Sequence, residues 1–330
     1  MRKGILMRKF LLIVFFLFFS SVSNADDNTK ILGVCFHPEK LNIDNSKIFE
    51  LLKKYHFVSY RTDYRWQYVE RKKGIYKVPN DSLDKLIKES NNNNITPLLI
   101  LGYKNPLYSH DKPIDAATRS AFVNYVDWVV NRYKNYNVTY EIYNEWWSKD
   151  IKGYNLDRIM MSANNYVELI KETSEKIHSI SPNAKIIAGS LNPLDRRHVY
   201  WLEVMMQNGL MNYVDGISIH PYSVNDPDID FKKIDNFQEE ITKRFNNGKT
   251  VGIYITEMGY SNSRKGKINA LEQEQYIAKY IRLVNSRPYI KGIWWYQLIN
   301  EKNTTEYESN LGLLNSDLSE KSIMKGFISR

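Results

Sequence analysis

Cysteine is nearly absent: the 330-residue chain holds one, Cys35. A single thiol cannot make an intrachain disulfide, so the fold must rest on an ordinary hydrophobic core. Long apolar runs are missing after the first 25 residues, and nothing there is long enough to cross a bilayer, which takes about 20 residues. No Lys/Arg stripe alternates with aromatics, so no nucleic-acid partner is expected. No Gly-rich phosphate loop follows the first predicted strand; Gly33 sits inside it, with Cys35-Phe36-His37 beyond. That argues against a dinucleotide fold. His110-Asp111 stands without a His-Glu-x-x-His pattern or clustered His/Cys spacing, so neither a metal nor a cofactor is expected. No linker or composition shift divides the chain.

What is present begins with a three-part export signal. Arg2, Lys3, Arg8 and Lys9 supply a positive start, residues 10–19 are unbroken apolar sequence, and Ser23-Asn24-Ala25 offers a signal peptidase small residues. Residues 1–25 therefore read as a signal peptide and 26–330 as one domain, exported to periplasm or medium with no stable membrane anchor. The leader carries four basic groups and no acidic one, so the formal charge of +9 falls to about +5 on cleavage. What remains is ample for one large α/β domain near the usual ~250-residue barrel size.

One pattern then repeats eight times. Short apolar or β-branched runs at 31–37, 57–61, 95–102, 139–144, 185–189, 214–220, 251–257 and 291–297 read as strands. Segments of helical spacing lie between them, at 46–55, 81–89, 116–133, 160–180, 196–207, 231–245 and 271–285, with a last one at 319–327. Phe122, Val126, Val129 and Val130 show the logic, recurring at helical spacing to face a sheet. The tract 91–94, all asparagine, reads as a solvated helix-to-strand connection. Strands separated by helices imply parallel pairing. Eight such units predict a closed (β/α)8 TIM barrel rather than an open sheet.

In such a barrel the chemistry sits where strands end, and polar groups gather there. His37 ends strand one. Arg61 and Asp63 end strand two, with Trp66 close behind, and Tyr103 ends strand three. Asn144-Glu145-Trp146-Trp147 follows strand four and His220-Pro221-Tyr222 strand six. Glu257 ends strand seven, and Trp294-Trp295-Tyr296 lies in strand eight. Two carboxylates with Arg, His, Tyr and Trp at one mouth describe a sugar site. Breaking a glycosidic bond needs a proton for the leaving oxygen and negative charge against an oxocarbenium-like transition state. Two carboxyls about 5–5.5 Å apart do both with retention. Aromatic rings pack on the apolar faces of sugars, and 24 Tyr and 7 Trp supply them.

These residues also resemble a known group. Tyr140-Glu-Ile-Tyr-Asn-Glu145 resembles the strand-four signature of clan A glycoside hydrolases, and Ile255-Thr-Glu-Met-Gly-Tyr260 their strand-seven nucleophile motif. Ile217-Ser-Ile-His-Pro-Tyr222 is similar to the strand-six motif, and Tyr60-Arg61 to the strand-two arginine. Within the clan the chain is most similar to family 39 and its relatives, including small periplasmic hydrolases found with bacterial exopolysaccharide synthesis. The resemblance implies Glu145 as acid/base and Glu257 as nucleophile of a retaining hydrolase. Asn144 would bind the sugar 2-hydroxyl, Arg61 and Tyr222 would hold Glu257, His220 would line the cleavage subsite and Trp295 would form its floor. His37, Trp66, Tyr103 and Trp147 complete the candidate substrate contacts. The implied partners are a poly- or oligosaccharide and polysaccharide synthesis or export machinery.

Strand parity adds two expectations. Glu257 shares its face with Ile255 and Ile253, which would fill the barrel. The same parity turns Glu141 inward beneath Glu145, where a buried carboxylate needs a partner, Arg61 or His37. Two positions depart from the family pattern: Trp146 stands where Pro usually follows the acid/base, and strand eight runs on as Gln297-Leu-Ile-Asn300-Glu301. A non-catalytic polysaccharide-binding barrel and a transglycosylase on the same site are the alternative readings.

Overall fold

The computed structural model describes residues 30–328, apart from positions 42, 152, 154 and 303. The leader expected at 1–25 lies outside the described residues. Among the described residues the barrel strands are β1 (Ile31–Cys35), β2 (Ser59–Arg65), β3 (Thr96–Gly102), β4 (Thr139–Ile142), β5 (Lys185–Leu191), β6 (Gly216–Ile219), β7 (Ile253–Met258) and β8 (Ile290–Tyr296). They close in the order β1-β8-β7-β6-β5-β4-β3-β2, with each neighbouring pair parallel. Helices α1 (Asn45–Lys54), α2 (Asp81–Ser90), α3 (Ala116–Tyr133), α4 (Leu156–Ile180), α5 (Arg196–Gln207), α6 (Pro227–Phe245), α7 (Ala270–Asn285) and α8 (Ile323–Ile328) alternate with them. The expected (β/α)8 barrel is the observed fold.

Local chemistry starts each helix. Asp44, Asn80, Asp115, Asn155, Asp195, Asp226 and Asn269 stand at the N-caps of α1 to α7, each accepting a first-turn backbone N–H. These caps account for two misplaced starts. Helix α4 begins at Leu156 behind Asn155, and α6 at Pro227 behind Asp226, because proline needs no N–H partner in a first turn. The last helix starts later than expected, since Ser319 is held in a turn by Asp317. Asn94 takes φ 57°, a left-handed conformation asparagine tolerates, and turns the chain into β3.

Two apolar layers hold the barrel. Cys35, Leu98, Ile187, Tyr254 and Trp294 fill its interior. Gly33 is required there, because a Cβ would lie 2.2 Å from the Trp294 indole. Outside, the helices cover the strands; Phe122, Val126, Val129 and Val130 of α3 are fully buried, as their spacing predicted. Strand β2 runs to Arg65, past its expected end, because the alternation continues with a charged residue inside. Tyr64 points outward to the Tyr133 hydroxyl, while Asp63 points inward to Tyr103 and His37.

Candidate active site

The strand ends carry unusual backbone. Tyr143 (φ 62°), Glu145 (φ 46°) and Ser190 (φ 49°) are non-glycine residues in the left-handed region, where such residues are uncommon. Strain of this kind persists only where the surroundings over-determine it, and it gathers at functional sites. Here it follows β4 directly and swings Asn144 and Glu145 together over the barrel mouth. Trp146, the residue that replaces proline, starts a one-turn helix (Trp146–Lys149) and packs its indole flat on Tyr166, centroids 5.1 Å apart. A bulky anchor thus fixes the turn that carries Glu145.

Strand β7 reaches the same place through a bulge. From the Ile293–Ile255 pair to the Trp295–Met258 pair, the register advances two residues along β8 and three along β7. The extra residue lets both Thr256 and Glu257 turn to the interior. This corrects the parity expectation: Tyr254, not Ile253 or Ile255, belongs to the barrel-filling layer, and both isoleucines pack in the outer one.

Arg61 ties the site together. Its Nε donates to Glu141 at 2.6 Å, one terminal nitrogen to Glu257 at 2.7 Å, and the other to Asn144 Oδ1 at 2.8 Å. Burial works against its charge, but Glu141 and Glu257 outweigh that and hold the guanidinium well above its usual range. The expected partner for the buried Glu141 is therefore Arg61. Glu141 also accepts from Ser190 Oγ at 2.8 Å and Thr256 Oγ1 at 3.2 Å. Tyr222 donates to the second oxygen of Glu257 at 2.9 Å; burial and that carboxylate keep its hydroxyl protonated. His220 lies behind Glu145, with Nδ1 3.1 Å from Glu145 Oε1 and Nε2 3.0 Å from Thr256 Oγ1.

One carboxylate oxygen of Glu145, one of Glu257 and a ring nitrogen of His220 all lie within 4.8 Å of one another. Glu145 is the more open carboxylate, its side chain 34% exposed against 12% for Glu257. Both open on a cavity of about 450 Å³ that His37, Arg61, Tyr103, Asn144 and Tyr222 also line. Seven of the sequence-predicted residues thus share one cavity, with His220 supporting it from behind.

Three predicted aromatics lie elsewhere. Trp295 is the clearest correction: it is fully buried on the helix side of β8, against Tyr260 and Tyr280. Trp294 takes the inward position, and its indole donates to Ser59 Oγ. Tyr296 is therefore the β8 aromatic that reaches the cavity. Trp66 is also fully buried, stacked on Tyr108 and bonded to Glu70. Trp147 is half-buried against His198, its indole donating to the Ser190 carbonyl rather than lining the cavity.

The far side of the cavity was missed as a unit. His37 Nδ1 lies 2.5 Å from Glu301 Oε1, and its Nε2 lies 3.4 Å from Asp63. Burial opposes charge on His37, yet hydrogen bonds to Asp63 and Glu301 push its pKa up to about 9. Lys40 bonds Glu301 at 2.7 Å, and Arg65 bonds Asp63 at 2.7 Å. Burial opposes the charge of Asp63, but His37 and Arg65 hold its carboxyl well below the usual range. In the sequence Glu301 is only the end of the run Gln297-Leu-Ile-Asn300-Glu301 by which strand eight departs from the family pattern. The available signal was its place after the last strand, which closes against the first.

The family model described as glycosyl hydrolase catalytic core matches residues 158–324. None of the curated proteins compared with the chain matches it. Among solved structures, a family 39 glycoside hydrolase from the gut symbiont Bacteroides cellulosilyticus WH2 is 25% identical, with TM-score 0.75 over 91% of this chain and 62% of that one. The exo-β-1,4-mannosidase Op5Man5 from Opitutaceae bacterium strain TAV5 is 14% identical, with TM-score 0.69 over 91% of this chain and 59% of that one. GH5_18 from Streptomyces cattleya, in complex with GlcNAc, is 12% identical, with TM-score 0.68 over 91% of this chain and 79% of that one. The chain thus spans about three fifths of the length of the first two. With half of its length matched by the family model, the chain belongs to the glycosyl hydrolase catalytic core family, as a family 39-like member of clan A.

Proposed function

We propose that this protein is a retaining glycosidase acting on a poly- or oligosaccharide, with Glu145 as acid/base and Glu257 as nucleophile. The observation that carries the reading is the close approach of the two carboxylates, within 4.8 Å between facing oxygens. Inverting enzymes hold theirs about 6.5–9.5 Å apart to admit a water. Glu257 is held by Arg61 and Tyr222, both donors, which suits a carboxylate that must stay charged to attack. Glu145 is the more open of the two, which suits a group that meets a leaving oxygen and then water.

In the first step Glu257 Oε attacks the anomeric carbon, the glycosidic C–O bond breaks, and Glu145 gives its proton to the departing oxygen. In the second, Glu145 takes a proton from water, the water oxygen attacks the same carbon, and the Glu257 ester bond breaks with a second inversion. Asn144 accepts from Arg61 through Oδ1, which leaves its amide N–H₂ free to donate to a sugar 2-hydroxyl. Tyr296 offers the ring on which a sugar face packs, and His37 and Tyr103 line the wall beyond it. A bacterial exopolysaccharide is the proposed substrate, with polysaccharide synthesis or export machinery as partner and the periplasm or medium as compartment.

The test is digestion of a polysaccharide panel that includes those of the producing organism, with proton NMR of the first product. Retention is expected, together with its loss in Glu257→Gln at unchanged thermal stability. An inverted first product would falsify the close-pair assignment. Sugar-extended products would move the assignment to a transglycosylase, and binding without cleavage to a non-catalytic barrel.

A further inference from the structure

Beneath the catalytic pair lies a third carboxylate that neither proposed step uses. Glu141 is fully buried, and two of its three hydrogen-bond partners, Arg61 and Thr256, lead on to the two carboxylates proposed to do the chemistry. Oε2 accepts from Arg61, whose other arm holds Glu257. Oε1 accepts from Ser190 and Thr256, and Thr256 meets His220, which meets Glu145. We propose that Glu141 is a positioning residue for both carboxylates, acting on Glu257 through Arg61 and on Glu145 through Thr256 and the tautomer of His220. The proposal rests on the roles assigned above to Glu145 and Glu257.

Hydrogen-bond bookkeeping gives the second arm its direction. An ionised carboxylate only accepts, and a threonine hydroxyl has one proton to donate. Facing Glu141, paired with the Arg61 guanidinium, Thr256 must spend that proton on Glu141 Oε1. Toward His220 it can then only accept, so Nε2 carries the imidazole proton. In neutral imidazole Nδ1 is then a bare acceptor, 3.1 Å from Glu145 Oε1. A neutral His220 can therefore hold Glu145 only in its proton-bearing form, by accepting its O–H, whereas a carboxylate there would need the imidazolium. The first step needs that proton-bearing form. His220 holds it in place until the leaving oxygen of a substrate competes for the same O–H. The tautomer of a metal- or proton-handling histidine is commonly set by what its other nitrogen meets; here that partner is Thr256, oriented from below by Glu141.

The test reads the tautomer directly and needs no substrate. Long-range ¹H–¹⁵N NMR of protein labelled at histidine nitrogen, at pH 8, should show His220 as the Nε2–H form, assigned by loss of its signals in His220→Gln. In Glu141→Gln the new amide N–H₂ faces Thr256, the hydroxyl reverses to donate to Nε2, and His220 should switch to Nδ1–H. Thr256→Val should leave no fixed tautomer, and Thr256→Ser should restore the wild-type pattern. Nδ1–H in the wild-type protein, or an unchanged pattern in Thr256→Val, would overturn the proposal; the wild-type and Thr256 spectra decide even if Glu141→Gln does not fold. On aryl glycosides of the cleaved sugar, Thr256→Val should lose roughly 100-fold with poor leaving groups, the scale of general-acid catalysis. With dinitrophenyl leaving groups, which need no proton, it should lose little. A uniform loss would mean a structural role only. Failure to find any cleaved glycan would count against the proposed function and leave the tautomer result standing.

Discussion

His37 and Glu301, 264 residues apart in sequence, share a 2.5 Å hydrogen bond across the seam where the first and last strands of the barrel meet. The bond joins the two ends of the barrel and forms one wall of the cavity, with Asp63 on the other ring nitrogen. Stability and site geometry are therefore linked at this point.

That linkage predicts a pH dependence with a definite sign. The pKa of His37 rises from 6.5 unfolded to about 9 folded. Its contribution is fully present below the unfolded value and is lost as pH rises through 9. At about 1.36 kcal/mol per unit, the loss amounts to roughly 3 kcal/mol. Asp63 and Glu301 act in the opposite sense, their share being lost as pH falls through the carboxylate range. Thermal melts should show Tm dropping between pH 7 and 9.5 in the wild type and staying nearly level in His37→Gln. Parallel curves would mean that His37 is not the titrating group.

The two proposed carboxylate roles separate by chemical rescue. Glu145→Ala should keep first-step activity on an activated aryl glycoside and lose most activity on the natural glycan. Azide should accelerate its slow second step, because a small anion can attack without a general base. Glu257→Ala should show neither effect. Steady-state rates with and without azide, and mass spectrometry of the glycosyl azide, decide; a reversal of the two patterns would exchange the roles.

The two neighbouring aromatics of β8 should differ sharply. Trp295 is buried against Tyr260 and Tyr280, so Trp295→Phe should cost roughly 1–3 kcal/mol of stability and leave kcat/KM of the folded protein near wild type. Tyr296 faces the cavity, so Tyr296→Ala should raise KM about tenfold, or 1.4 kcal/mol, with little change in Tm. Denaturant melts paired with kinetics check both. A kinetic defect in Trp295→Phe at normal stability would return that residue to the site.

Export makes a further prediction. Cleavage after Ser23-Asn24-Ala25 should give a mature protein beginning at Asp26, free in the periplasm or medium. N-terminal sequencing of the fractionated protein tests it, and an intact Met1 would refute it.

Much of this protein was legible in its sequence because the determining physics is local. Buried helix faces follow from spacing such as Phe122, Val126, Val129 and Val130, and the barrel from eight strand–helix alternations, while spacing alone sets the starts of α4 and α6 four residues late because their caps fix them. The strand-end carboxylates Glu145 and Glu257 were visible for the same reason: strand ends are read from runs of a few residues. The tertiary structure decided which way side chains point at those ends. A two-residue period cannot see the extra residue in β7 that turns Thr256 and Glu257 inward together, nor the positive φ at Tyr143 and Glu145. Such distortions cost energy locally and persist through distant partners, Arg61 on Glu257 and Tyr166 behind Trp146. The same holds for choosing Trp294 over Trp295 as the inward residue, and for joining His37 to Glu301: both depend on the register at which the last strand closes against the first, which no stretch of sequence shorter than the whole barrel contains.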